Sequence, residues 1–227
     1  MEIIDRIPVE LSVEHILGLL HMDKSGKYVR DVQELIDLVQ PIVRPKVIYD
    51  VCYVENKDGD SLDIGGVRFT SRVLRVNLDR VERVFPYIAT CGTEVESIDI
   101  PGDDLMKKFM LDTIKQVALG AAIRHFQGYI EEKYRTGQMS SMNPGSLEDW
   151  PLSEQKQLFS LFGNVEELIG VRLTSTFLMI PIKSVSGIYF PTEVKFESCQ
   201  LCPRERCPGR KARYDENLKK KYFSEQR

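Results

Sequence analysis

Three cysteines near the C-terminus form the segment of this chain that is best suited to chemistry. Cys199, Cys202 and Cys207 lie in the run CQLCPRERCPGR, a Cys-x2-Cys pair followed by a third cysteine after four further residues. Thiolates bind zinc and the iron of iron–sulfur clusters, and a Cys-x2-Cys pair places two thiols on one turn. The run therefore predicts a bound metal. We expect an iron–sulfur cluster rather than zinc, because no histidine follows at zinc-finger spacing.

The surroundings of the three thiols support this interpretation, although they supply only three of the usual four ligands. The nearby basic residues are Arg204, Arg206, Arg210, Lys211 and Arg213. Their positive field favours deprotonated sulfur and suits an anionic cluster. The fourth ligand is open between Cys52, Cys91, a histidine, a partner chain and an exchangeable small molecule. The alternative is that these cysteines are free thiols in a basic tail.

Length and composition indicate an ordinary globular protein. A chain of 227 residues buries roughly 70–75% of its unfolded surface, so its core needs no disulfide or metal. We expect one domain over residues 1–195 and a cysteine-rich basic arm over residues 196–227. A net charge of -3 disfavours a general nucleic-acid binder.

The same features predict the compartment. No apolar run approaches the roughly 20 residues needed to cross a bilayer, so we expect no membrane association. The start MEIIDRIPVELS has acidic residues where a signal peptide would be basic and then apolar. Five cysteines without such a signal indicate the reducing cytoplasm, where clustered thiols bind metal more often than they form disulfides.

Apolar spacing predicts the elements that position these residues. Ser12 precedes one amphipathic helix and residues 29–39 form a second, ended by Pro41. Strand patterns follow in KVIYDVCYV, SLDIGGVRF, SRVLRVNLDRV and FPYIAT. A long helix over residues 105–134 is capped by Asp103 or Asp104. We therefore predict an α+β fold: a mainly antiparallel sheet, a long central helix, an N-terminal helical pair and a C-terminal cysteine-rich arm.

Two further segments could contact a ligand through backbone and hydroxyl groups. In the run NPGS, Pro144 fixes φ and Gly145 permits positive φ or a close approach. In SVSGIY, Ser184 and Ser186 offer hydroxyl groups before Tyr189. Taken alone, either segment is better explained as a plain turn. No serine–histidine–aspartate or paired-carboxylate spacing supports a hydrolase.

Taken together, SMNPGSLEDWPLSEQKQLF, IGVRLTSTFLMIPIKSVSGIYF and the cysteine run resemble the reactivation domain of cobalamin-dependent methionine synthase, in a short standalone form. The resemblance covers most of the chain and is densest from residue 141 to residue 190. It implies a protein that binds S-adenosylmethionine and caps the cobalamin of a partner while an electron and a methyl group restore the oxidised cofactor. It also implies that Pro144, Gly145 and Tyr189 contact S-adenosylmethionine.

The resemblance has two departures. Larger family members have an arginine where this chain has Ser141 and a tyrosine where it has Ser146, and they lack the cysteine run. Arginine is the natural bidentate partner of a carboxylate. We therefore expect a reactivation subunit that carries its own metal centre and supports reductive methylation of a partner's cobalamin, without independent turnover. The alternatives are an iron–sulfur electron-transfer or redox-sensing protein without S-adenosylmethionine, and a structural zinc arm.

Overall fold

The computed structural model describes residues 1–23, 26–207 and 209–223. Within these ranges the strands are β1 (Glu2–Ile4), β2 (Lys46–Tyr49), β3 (Cys52–Asp58), β4 (Ser61–Ile64), β5 (Val67–Thr70), β6 (Arg83–Thr90), β7 (Met139–Met142), β8 (Arg172–Leu173), β9 (Met179–Ile180) and β10 (Ser184–Pro191). The α-helices are α1 (Val13–Leu20), α2 (Lys27–Val39), α3 (Arg72–Asn77), α4 (Leu105–Tyr134), α5 (Gln155–Ser160), α6 (Val165–Ile169) and α7 (Glu216–Phe223).

An eight-stranded antiparallel sheet with β6 at its centre organises these elements. β10 pairs with β6, and β7 pairs with β10. β2 and β3 both pair with β6, one after the other along its length. Their register is continuous, because Tyr49 opposes Tyr87 and Cys52 opposes Val84. β1 extends the sheet beyond β2, and β4 and β5 extend it beyond β3. The predicted α+β class, with its mainly antiparallel sheet and long central helix, is confirmed.

Alternation along β6 gives the sheet two buried faces. Phe85, Tyr87 and Ala89 pack with the core of α1, α2 and α4. Val84 and Ile88 point the other way, into two smaller clusters formed with the remaining helices and loops. This period of two is expected of a strand that is covered on both sides. The N-terminal helical pair therefore lies on the same face as the long helix.

The long helix α4 begins where the sequence predicts. The Asp104 side chain accepts a hydrogen bond from the Lys107 backbone N–H at 2.9 Å, which satisfies one of the free donors at the helix start. Buried residues recur along the helix towards the sheet, including Ile114, Ala118 and Ala122. The small side chains at positions 118 and 122 let the helix lie close to β6.

The strand predicted in SRVLRVNLDRV is wrong, because residues 72–77 form helix α3. Ser71 caps it by accepting a hydrogen bond from Leu74 N at 3.0 Å. Val73, Leu74 and Leu78 are buried, whereas Val76 is 41% exposed. The buried apolar residues thus follow a helical spacing from Val73 onward. The alternation of apolar and polar residues over positions 74–78 gave the same segment the pattern of a strand.

The cysteine arm packs on the second face of the sheet. Phe196, Leu201 and Tyr222 are buried in the cluster that also holds β3, β4 and α3 residues. Tyr222 donates a hydrogen bond to Asn77 Oδ1 at 3.0 Å, and Arg72 Nε donates one to the Tyr222 carbonyl. The arm is therefore fastened to α3. No helix in the described part of the chain is both long and apolar enough to span a membrane.

Candidate functional site

The Pro-Gly loop, residues 143–146, is a tight β-turn. Ser146 N donates to the Asn143 carbonyl at 3.1 Å, and Gly145 has a φ of 84°. Proline at the second position and a left-handed glycine at the third define a type II turn. A Cβ at Gly145 would lie 2.9 Å from Leu152 Cδ1, so the Leu152 side chain would have to shift, and the positive φ disfavours any residue other than glycine.

The Asn143 side chain ties this turn to the sheet. Its Nδ2 donates to Tyr87 Oη at 3.0 Å and to the Ser186 carbonyl at 2.8 Å. The amide crosses directly over Gly187, where a Cβ would meet Asn143 Nδ2 and would lie 2.7 Å from the Met142 carbonyl. The glycine of the SVSG segment is therefore required for the Pro-Gly loop to reach the sheet.

The other end of this segment is anchored by Asp149. Its carboxylate accepts hydrogen bonds from Val73 N at 2.9 Å, from Arg72 N at 3.3 Å and from the Ser71 hydroxyl. Gly145 N donates to the Trp150 carbonyl at 2.7 Å, which closes the segment on itself. The turn is thus held by β10 on one side and by the start of α3 on the other.

A cavity of about 790 Å³ lies between the Pro-Gly loop and the cysteine arm. One wall includes Ser141, Asn143, Gly145 and Ser146, and the other includes Cys199, Cys202 and Cys207 together with the cationic residues Arg204, Lys211 and Lys219. This volume lies in the usual range for small-molecule sites. The structure thus brings the two most distinctive sequence motifs to one cavity.

The cysteine turn has a well-defined local geometry. Residues 198–200 form a 3₁₀ turn, and Cys202 N donates to the Cys199 carbonyl at 3.3 Å. Side chains at i and i+3 of such a turn lie on the same side, which brings Cys199 and Cys202 to one surface. Lys211 N donates to Cys199 Sγ at 3.4 Å. The run therefore folds back over its own first cysteine.

Arg210 acts as the internal brace of the cysteine arm. Its guanidinium donates to the Cys199 and Cys202 carbonyls at 3.1 Å each, to the Ala212 carbonyl at 3.0 Å, and to the Arg204 carbonyl. The planar fork of arginine can satisfy several acceptors at once. Sequence reasoning assigned Arg210 only a long-range positive field, whereas the structure gives it a positioning role.

The two remaining cysteines lie elsewhere. Cys91 belongs to the core beneath the long helix, and Cys52 to the core on the second face. Burial raises the pKa of Cys52 to about 11 and that of Cys91 to about 12. Neither lines the cavity beside the cysteine turn. Across residues 1–23, 26–207 and 209–223, no three or more histidine, cysteine or acidic side chains are gathered in a way that would hold a metal ion.

Ser184, Ser186 and Tyr189 are absent from the described residues that line this cavity. The Ser184 hydroxyl donates to Thr90 Oγ1 at 3.0 Å, and Ser186 is buried in the sheet. Tyr189 donates to Glu131 Oε1 at 2.5 Å on the helix side. Burial, together with that carboxylate, raises the pKa of the Tyr189 phenol above its usual range. These residues thus support the site from behind, through strand pairing.

Several residues of the site were missed by sequence reasoning. Asn143, Asp149 and Glu131 have partners that are distant in sequence, so their roles depend on the fold. A local signal existed only for Asn143: asparagine, proline and glycine in this order are typical of a type II turn.

Comparison with known proteins identifies the fold. Residues 124–206 match the family model described as the vitamin B12 dependent methionine synthase activation domain. The crystal structure of the MetH reactivation domain bound to AdoHcy matches with a TM-score of 0.56 and 17% identity, over 87% of this chain and 81% of that chain. Among curated proteins none matches the chain.

These findings confirm the resemblance to the reactivation domain of methionine synthase and do not favour the alternative electron-transfer protein. The family model includes the long helix from residue 124 onward, the Pro-Gly loop, β10 and the first two cysteines of the run. Residues 124–206 thus match the activation domain of vitamin B12 dependent methionine synthases, and the chain has the fold of the MetH reactivation domain.

Proposed function

We propose that this chain is a separate reactivation subunit for a cobalamin-dependent methionine synthase or a related corrinoid methyltransferase. It binds S-adenosylmethionine and presents it to oxidised cobalamin carried by the partner, so that an electron and a methyl group restore the cofactor. The observation that carries the proposal is the cavity whose wall is the Pro-Gly loop. The similar solved domain binds AdoHcy, the demethylated form of that ligand.

The residues of the chain supply binding and position, whereas the cobalamin supplies the chemistry. Gly145 brings backbone to the ligand without a side chain in the way, and Pro144 fixes the direction of the turn. Ser184, Ser186 and Tyr189 hold β10, to which the loop is bound. Lys211 and Lys219 give the opposite wall positive charge, which suits the carboxylate of the methionine moiety.

We further propose that the cysteine arm, residues 196–227, supplies a metal site beside the domain formed by residues 1–195. Cys199, Cys202 and Cys207 line one wall of the cavity, and thiolates are the ligands that iron in an iron–sulfur cluster takes, with zinc as the alternative; in the described residues the three are not gathered as a preformed metal site. A cluster would supply a one-electron reductant beside the ligand. We place the protein in the cytoplasm, where such thiols stay reduced.

Titration calorimetry with AdoHcy tests ligand binding, and two glycine variants make the result specific. Gly145 and Gly163 have φ values of 84° and 72°, but only Gly145 lines the cavity. Alanine at either position costs roughly 1 kcal/mol of stability or more, because both conformations are left-handed. We expect Gly145→Ala to weaken AdoHcy binding at least about tenfold and Gly163→Ala to leave it unchanged.

A second experiment tests the partner. Under reducing conditions the chain should co-purify with a corrinoid methyltransferase and restore its activity after oxidation of the cobalamin, in a manner that requires S-adenosylmethionine. Saturable AdoHcy binding without any such stimulation would leave a ligand-binding protein with a different partner. Absence of both would overturn the proposed function.

A further inference from the structure

Three cationic side chains of the cavity have no acidic partner in the protein. Arg204, Lys211 and Lys219 line the wall that the cysteine arm forms. Among residues 1–23, 26–207 and 209–223, none of the three forms an ion pair, whereas the neighbouring Lys220 pairs with Glu216 at 2.8 Å. This wall therefore presents positive charge to the cavity that the protein itself does not neutralise.

The acidic residues that line the same cavity do not offset these cations. The Asp149 carboxylate already accepts hydrogen bonds from two backbone N–H groups and a hydroxyl at the start of α3. Glu197 pairs with Lys195 at 3.5 Å. Glu148 is exposed, so solvent screens its charge. The three cations are thus available to a ligand.

The positive charge belongs to the arm and not to the chain as a whole. Residues 196–227 contain nine lysines and arginines against five aspartates and glutamates, whereas the whole chain has 31 against 34. The arm is fastened to the remaining, acidic part of the chain, because Tyr222 donates to Asn77 Oδ1 and Arg72 donates to the Tyr222 carbonyl. Cations held at one wall of a cavity raise the local concentration of anions there.

Helix α7 adds an aromatic ring to this wall. Lys219 and Phe223 are four residues apart on the helix, so their side chains are neighbours on one face, and both line the cavity. Phe223 is 39% exposed, which leaves part of its ring accessible. Aromatic rings stack on nucleobases, and lysine and arginine pair with phosphate. The wall thus offers both contacts side by side.

The charge of the wall exceeds what an S-adenosylmethionine-type ligand would neutralise. Such a ligand has one carboxylate, and S-adenosylmethionine also carries a positive ammonium and a positive sulfonium group. Unneutralised cations beside these groups would oppose binding. The cavity of about 790 Å³ lies in the upper part of the range of roughly 300–1,000 Å³ for small-molecule sites. It therefore has both the charge and the room for a more anionic group.

We infer that the arm wall of the cavity binds a nucleotide. Arg204, Lys211 and Lys219 pair with its phosphate. The ring of Phe223 stacks on its base. A base, a ribose and a phosphate have two sources here: a free nucleotide, or the nucleotide tail of the cobalamin that the proposed function assigns to the partner. The inference goes beyond the proposed function, because it does not require S-adenosylmethionine to bind at the Pro-Gly loop.

Calorimetric titration of the metal-free full chain with adenosine 5′-monophosphate tests the phosphate contact, and adenosine is the matched ligand. The monophosphate should bind at least about tenfold more tightly than adenosine, because only it has a group that pairs with the cations. Raising the salt concentration from about 50 mM to about 500 mM should weaken the monophosphate far more than adenosine. Equal affinities for the two ligands would overturn the inference.

Lys219→Gln and Lys221→Gln are the matched variants. Each removes one positive charge from α7, and lysine and glutamine have similar helix propensities, but only Lys219 lines the cavity. Lys219→Gln should weaken the monophosphate about fivefold or more and leave adenosine unchanged, whereas Lys221→Gln should change neither. Phe223→Leu should weaken both ligands by a similar factor. Equal weakening of the monophosphate in both lysine variants would indicate a diffuse field and would overturn the inference.

Cyanocobalamin and dicyanocobinamide distinguish the two sources, because cobinamide lacks the nucleotide tail. If the partner's cofactor supplies the nucleotide, cobalamin should bind more tightly than cobinamide, and Lys219→Gln should reduce the difference. If a free nucleotide is the ligand, the two corrinoids should bind alike and only the monophosphate should depend on Lys219.

The remaining outcomes separate this inference from the proposed function. If neither the monophosphate nor cobalamin shows an affinity that depends on Lys219, the inference is overturned, and AdoHcy binding still supports the proposed function. If the monophosphate depends on Lys219 and AdoHcy does not bind, the inference stands and the proposed function fails.

Discussion

Substitution of Gly187 by alanine should damage both stability and ligand binding. The new Cβ would meet the Asn143 amide nitrogen and the Met142 carbonyl, the latter at 2.7 Å, so the end of β7 must move away from β10. Asn143 then loses its hydrogen bonds to Tyr87 and to the Ser186 carbonyl. Each such bond contributes about 1 kcal/mol net.

Overpacking of a buried position costs roughly 1–3 kcal/mol in addition. We therefore expect Gly187→Ala to lower the free energy of unfolding by about 3–5 kcal/mol, combining both effects. Urea denaturation measures this change, and an unaltered m-value shows that the unfolding transition is still comparable. Gly128→Ala is the matched control, because Gly128 is exposed in α4 with nothing within 4 Å of its added Cβ. It should stabilise the helix by up to ~1 kcal/mol.

A double-mutant cycle tests the cause of the effect. If the Asn143 amide is the main obstacle, Gly187→Ala should cost at least ~1 kcal/mol less in an Asn143→Ala background than in the parent chain. The Met142 carbonyl still opposes the Cβ, so some cost remains. AdoHcy affinity should fall in Gly187→Ala and not in Gly128→Ala. An additive cycle, or a change of less than ~0.5 kcal/mol, would refute the reasoning.

Three further predictions concern thiols, the arm and pH. In the native metal-free protein at pH 8, a thiol reagent should modify the three arm cysteines before it modifies Cys52 and Cys91. The reason is that burial raises the pKa of Cys52 to about 11 and that of Cys91 to about 12. Mass spectrometry follows the modification, and equally fast reaction of either buried thiol would contradict the prediction. Arg210→Lys keeps the positive charge but loses the planar guanidinium that donates to several carbonyls at once. Amide hydrogen exchange in the arm should therefore accelerate almost as much in Arg210→Lys as in Arg210→Ala. Protection at the wild-type level in the lysine variant would show that charge alone suffices. The hydrogen bond from Lys133 lowers the pKa of the Glu2 carboxyl in the folded protein. The wild type should therefore be more stable than Glu2→Gln above about pH 4.3, the usual pKa of a glutamate in an unfolded chain. This advantage should decline as the pH falls through the lower pKa of the folded state. Denaturation curves from pH 6 to pH 2 measure it, and a constant difference would be inconsistent with this linkage.

Elements with strong local signals could be predicted from the sequence. The cap at Asp104, the apolar spacing of α1 and α2 and the buried run of β6 all depend on near neighbours in the chain. The pairing of β2 and β3 in one register along β6 could not be predicted, because it depends on residues 30 or more positions away. Helix α3 was not predicted because its apolar face is short, with Val73, Leu74 and Leu78 as its buried residues. The apolar residues at positions 74, 76 and 78 alternate with polar ones, and this alternation indicated a strand.

The candidate site shows the same division. Two features of the site are local and could be predicted from the residue types. They are the type II turn at Pro144 and Gly145 and the close spacing of Cys199 and Cys202. The two motifs line one cavity only because of the tertiary structure. The arm must fold back across the second face of the sheet to bring them together. The brace at Arg210 was interpreted as charge alone because its acceptors are backbone carbonyls, which carry no sequence signal.

Helix α3 gives the two walls of the cavity a common support. The Asp149 carboxylate, next to the Pro-Gly loop, binds the backbone N–H of Val73 at the start of the helix. Tyr222 of the cysteine arm binds Asn77 at its end. A ligand that shifts the loop should therefore act on the same short helix that holds the cysteine arm, so a substitution that loosens the arm should also alter the position of the loop.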